Sequence, residues 1–115
     1  MKFDFEKLEV YQKAIGFAND IYNLTKKFPR EERFGLVSQI CRTAVSISLN
    51  IAEGSGRSKK DFKHFLNMAR TSIHECIPLL RISRLQRYIT SDEESLFYER
   101  CIELAKMVCG LISSL

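Results

Sequence analysis

Between Arg57 and Arg87 the cationic side chains recur in a pattern suited to neutralising phosphate. Lys60, Lys63, Asn67, Arg70, His74, Arg81 and Arg84 lie three, four or seven residues apart, which puts them on one side of a helix. Arg57, Lys59 and Arg87 flank the row. This span holds eight Lys or Arg against two acids, and the rest of the chain ten against twelve. The net charge of +4 therefore belongs to one element. A helix of about 28 residues is roughly 42 Å long, enough to follow several phosphates. Such contacts ignore base identity and weaken steeply with salt. His74 adds charge only when protonated. No aromatic motif of the RNA-reading kind is present, and the aromatics mostly follow apolar faces, so base stacking is not expected to dominate. A solvated outer face explains the same row, and both readings stay open.

A second polar pattern runs through SQICRTAVSISLNIAEGSGR, residues 38–57. Gln39, Arg42, Ser46, Asn50, Glu53 and Arg57 follow one another at helical spacing on an otherwise apolar helix. Leu36, Ile40, Ala44, Ile47 and Ile51 form its main apolar stripe, and Val37, Cys41, Val45 and Ala52 widen it. A buried charge without a partner is costly, so this seam reads as an architectural network within or between subunits, with Arg57 pairing Glu53. The competing reading is a ligand or catalytic pocket. A helix with so much apolar circumference needs neighbours on several sides, which predicts association of copies.

Catalytic and metal chemistry find little footing. The acids are scattered, GSG lacks the lysine spacing of a phosphate loop, and Ser46 and Ser48 have no histidine nearby in sequence. Cys41, Cys76, Cys101 and Cys109 form no close pair, so zinc is not expected and they read as small apolar residues in a reducing compartment. No cofactor motif is present. The expectation is a protein that is not an enzyme.

The elements that must hold these residues are helices. With five glycines and two prolines, few breaks are available. The spacing predicts helices at about 6–28, 31–53, 59–88 and 91–114 within a single domain, 1–115. In the first, Leu8, Tyr11, Ile15, Ala18, Tyr22 and Thr25 are taken as one face with Ala14 and Ile21 alongside, Asp4 as an N-cap and Gly16 as a weak point. Gly54 is taken as a left-handed stop for the second. Ser58 with Asp61, and Thr90 or Ser91 with Glu93 or Glu94, start the third and fourth. Phe62, Phe65, Leu66, Ala69, Ile73, Cys76, Leu80 and Ser83 mark the third helix's inner face, and Phe97, Cys101, Leu104, Val108 and Leu111 the fourth's. Pro78 is expected to kink the third helix without breaking it. Short loops then predict an all-α, antiparallel up-down-up-down four-helix bundle. No apolar run approaches a membrane span, and MKFDFEKLEV is too acidic for a signal peptide, so no membrane association and a cytoplasmic location are expected.

The segments FP.EERFGL..QI.RTAVSI..NIAEGSGR and K.F..FL..A..S..E, followed by a last amphipathic helix, resemble the bacterial four helix bundle protein family. That family includes proteins encoded in intervening sequences of 23S ribosomal RNA genes and the accessory variability determinants of diversity-generating retroelements. The resemblance covers nearly the whole chain, and Asn50 to Arg57 is its most specific part. It implies a homopentameric, barrel-like ring of bundles. It further implies, from the retroelement members, binding of nucleic acid and an associated protein through a basic surface, and for the intervening-sequence members a role in RNA. Pro78 departs from the family pattern. The leading expectation is a non-enzymatic homo-oligomer that engages RNA, or an RNA-bound protein, through the basic helix. The alternative is a protein-binding scaffold ring without nucleic acid.

Overall fold

The computed structural model describes residues 3–115, so Met1 and Lys2 of the expected domain lie outside the described residues. Four long helices carry the chain: α1 (Glu9–Thr25), α2 (Leu36–Gly54), α3 (Lys59–Leu85) and α4 (Ser91–Ser114). Short 3-10 turns at Asp4–Lys7 and Arg30–Glu32 precede α1 and α2, and there is no strand among the described residues. The helices pack as a bundle measuring 43 × 26 × 20 Å.

Each helix start has a local cause. Asp4 is not the cap of α1: it belongs to the preceding 3-10 turn, and Leu8, in extended conformation, stands at the N-cap with no side-chain bond. The chain needs that turn to lay Phe5 edge-on against Tyr11, with ring centroids 5.0 Å apart. At α2 the Glu32 carboxylate accepts from the Leu36 amide at 3.3 Å and from the Tyr88 hydroxyl at 2.9 Å, tying the helix start to the end of α3. This hydrogen bond to Glu32, then burial, raises the Tyr88 pKa above the ordinary tyrosine value. Ser58 caps α3 by accepting from the Asp61 amide. Thr90 and Glu93 form a reciprocal capping box on α4. Glu93 also holds the Lys27 ammonium through both carboxylate oxygens. The Lys27 hydrogen bond, then the Thr90 backbone amide, pull the Glu93 pKa below the usual carboxylate value.

The core runs the length of the bundle. Phe17, Ile21, Ile40, Ile47, Ile51, Leu66, Ile73, Leu80, Leu104 and Val108 are fully buried. On α2, α3 and α4 the buried rows are those the spacing predicts, with Phe62, Phe65 and Leu111 only half-buried. On α1 the expected face is displaced. Ala18 and Thr25, with Ala14 and Ile21 alongside, are buried as expected, but Val10, Phe17 and Leu24 also point inward and Ile15 and Tyr22 are exposed. Phe17 decides this rotation, because it meets Phe97 of α4 edge-to-face at 5.9 Å. The Arg100 guanidinium covers both rings and pairs with Asp20 at 2.6 Å.

One further expectation shifts. Gly54 is not a left-handed stop; it is the last residue of α2, and the positive φ of +85° belongs to Gly56. A Cβ on Gly54 would lie 2.6 Å from Cβ of Phe65, so hydrogen at this position is what lets α2 and α3 close together. α3 continues unbroken through Pro78 to Leu85.

Candidate functional site

The basic row lies on α3, and the way α3 is anchored decides which cations are free. The Ser58 cap begins the helix immediately before Lys59 and Lys60, and burial of Leu66, Ala69, Ile73 and Cys76 turns Lys60, Lys63, Arg70 and His74 to the exposed side. Among the described residues no carboxylate stands within ion-pair distance of Lys59, Lys60, Lys63, Arg70 or Arg87. Arg87 sits past the helix end with φ of 64°, apart from the row.

The far half of the row is different. Arg81 and Arg84 both direct Nε at one carboxylate, Glu94 of α4, at 2.6 and 2.7 Å. Glu94 is 13% accessible, and Arg84 is itself only 33% accessible. The sequence spacing treats all these cations alike and reads Glu94 only as an acid suited to a helix start. The fold makes Glu94 their counter-charge. Arg57 is also occupied: it pairs with the Glu53 carboxylate at 2.6 Å, donates to the Glu53 carbonyl, and lies over the Phe65 ring at 5.1 Å.

The seam on α2 divides rather than forming one network. Ser46 donates to Ser72 of α3 at 2.6 Å, and Asn50 donates to the Ser46 carbonyl one turn back. Gln39 and Arg42 are exposed and, with Ser46, line a shallow open groove shared with Phe34, Ser38, Thr43 and Glu75. Glu53 is taken up by Arg57. These groups share a helix face without converging on a point where a substrate could be attacked.

Apolar exposure sits elsewhere than the stripe spacing implies. Cys41 is buried, while Val37 and Val45 pack partly on the core, so the chain covers much of α2's wide stripe itself. Phe34 (89% accessible), Leu49 (61%) and Met68 (43%) are exposed, as are Leu85 and Leu96, and none of these belongs to the predicted stripes, unlike the exposed Ile15 and Tyr22. Phe34 precedes α2, and Leu49 and Met68 follow no run that separates them from core positions in the sequence.

The cysteines lie inside, except Cys109. A hydrogen bond with Cys101, then burial, raises the Cys76 pKa far above the usual thiol value, as expected of an unreactive core thiol. No group of three or more metal-ligating side chains occurs among the described residues, and none of their helices is long and apolar enough to cross a membrane.

The 23S rRNA-intervening sequence protein family matches residues 6–110. The chain belongs to this family. It is also similar to a solved crystal structure, a protein of unknown function from the S23 ribosomal protein family of Bacteroides thetaiotaomicron. The two share 30% identity with a TM-score of 0.82, over 90% of this chain and 95% of that one. No curated protein matches the chain. The family match spans all four helices, so the Gly54 approach, the basic row and its Glu94 counter-charge all lie inside the shared domain. Neither the family nor the neighbour carries an enzymatic description.

Proposed function

We propose that this member of the 23S rRNA-intervening sequence protein family is a non-enzymatic homo-oligomer that binds RNA through the basic face of α3. An RNA-associated protein with an acidic or phosphate-bearing surface would be met by the same face. One observation carries the reading: Lys59, Lys60, Lys63 and Arg70 stand exposed with no acid in reach. Unpaired cations spaced along a rigid helix favour a polyanion over a small ligand. The helices run up, down, up and down in this reading. It is supported by the order of the α1–α4 ion pairs, in which Lys13, Asp20 and Lys27 meet Glu103, Arg100 and Glu93. Assembly of copies is supported by the exposure of Phe34, Leu49 and Met68, and the pentameric number comes from the resemblance. Operation in the cytoplasm suits the unpaired thiols.

Filter binding to a structured RNA tests the reading. Lys63→Glu, Arg70→Glu and Arg81→Glu together should weaken binding on the order of 100-fold at moderate salt. Unchanged affinity would remove the basic face from the function. The second reading, a protein-binding scaffold ring without nucleic acid, is favoured by the exposed apolar side chains. A protein partner that co-purifies with the chain free of nucleic acid would select it.

A further inference from the structure

Resting on the RNA-binding reading, we infer that the basic face works in two unequal halves: an open half that takes the phosphodiester backbone, and a half held back by Glu94. The open half runs from Lys59 to Arg70, about 16 Å along the helix axis. Its four cations are exposed and unpaired. In the held half, Arg81 and Arg84 spend their Nε donors on the two oxygens of one carboxylate. Glu94 removes one of the two positive charges there and fixes the direction of both guanidinium groups. Its own low accessibility shields the Arg84 pair from water, while Arg81, 60% accessible, keeps its outer side open to solvent. A phosphate approaching Arg81 finds the Nη donors open but half of the local charge already neutralised by Glu94, whereas one approaching Lys63 meets an ammonium with no counter-charge. Per copy, the open half provides about four counterion-releasing contacts, a slope of log K against log salt near −3 to −4.

The test is the salt dependence of binding to a fluorescein-labelled RNA hairpin, measured on the full chain and three single variants. Lys63→Gln should weaken binding several-fold and make the slope shallower by about 1. Arg81→Gln should change the slope by well under half of that. Glu94→Gln should tighten binding and steepen the slope by about 1, because it releases two guanidinium groups and restores one charge. Should Glu94→Gln lose helicity, Glu94→Asp replaces it: the shorter side chain cannot hold both arginines and suits the helix start, and, since it keeps the charge, it should tighten binding with little change of slope. Equal losses for Lys63→Gln and Arg81→Gln, or no gain from freeing Glu94's partners, would overturn the division. No binding by the unaltered chain or by any variant would instead overturn the RNA-binding reading. Binding that appears only when Glu94 is replaced would support the clamp in its strongest form.

Discussion

Replacing Gly54 with alanine should destabilise the fold, although alanine is the better helix former. The new Cβ would lie 2.6 Å from Cβ of Phe65, 3.0 Å from Cδ1 of Phe62 and 3.3 Å from Cγ of Phe65. Carbon atoms prefer about 3.5–4.0 Å. The Phe62 ring can turn away, but Cβ of Phe65 is fixed to the α3 backbone. Relief therefore requires the start of α3 to move out by about 1 Å. Overpacking of this kind costs about 1–3 kcal/mol, against a propensity gain of about 1 kcal/mol. Because a Cβ fixed to the backbone cannot give way, the upper part of that cost applies, and the net loss of about 1–2 kcal/mol lowers the melting temperature of a domain of this size by about 4–8 °C. Gly110 supplies the control. It is exposed in α4 with nothing within 4 Å of a built Cβ, so Gly110→Ala should raise stability by up to about 1 kcal/mol. Thermal unfolding followed by circular dichroism, at one fixed protein concentration, measures both. A Gly54→Ala protein that melts at or above the unaltered chain would refute the close-approach argument.

Four further outcomes are expected. Pro78→Ala restores a backbone donor inside α3 and removes the ring's crowding of the His74 carbonyl; it should raise the melting temperature, the gain being about 1–3 kcal/mol. Thr90→Ala removes the α4 cap and should cost about 0.5–2 kcal/mol by denaturant titration. Because the Glu93 pKa is lowered in the folded state, its stabilisation is present above the unfolded carboxylate pKa and disappears as pH falls through the folded one. Melting temperatures across that acid window should therefore fall more steeply for the unaltered chain than for Glu93→Gln. Leu49→Asp should lower the mass found by light scattering while leaving helicity intact, since the side chain is exposed in the single subunit.

Much of the helical plan was legible because its cues are local. Thr90 with Glu93, and Ser58 with Asp61, start their helices through bonds three residues long, which spacing alone specifies. The buried rows of α3 and α4 follow because each has one dominant apolar side, and that of α2 because its polar seam leaves one main stripe opposite it. α1 has apolar residues around more of its circumference, so its spacing fits two rotations. The choice between them waits on Phe17 meeting Phe97 from the far end of the chain. The same limit applies to glycine. Composition shows that Gly54 is unusual, but its purpose is a distance to Phe65 on another helix.

For the candidate site, residue type and spacing determined that a row of cations occupies one face of α3, because helical periodicity is a property of a single segment. Tertiary structure alone decided which of those cations are free. Glu94 lies ten or more residues beyond Arg81 and Arg84 in the chain, yet within 2.7 Å of both in space. It likewise decided that Leu49 and Met68 face outward while Cys41, on the same helix as Leu49, turns in. The physical reason is common to these cases. Electrostatic pairing and burial depend on separation in three dimensions, and helix–helix packing sets that separation between residues that local sequence leaves unrelated.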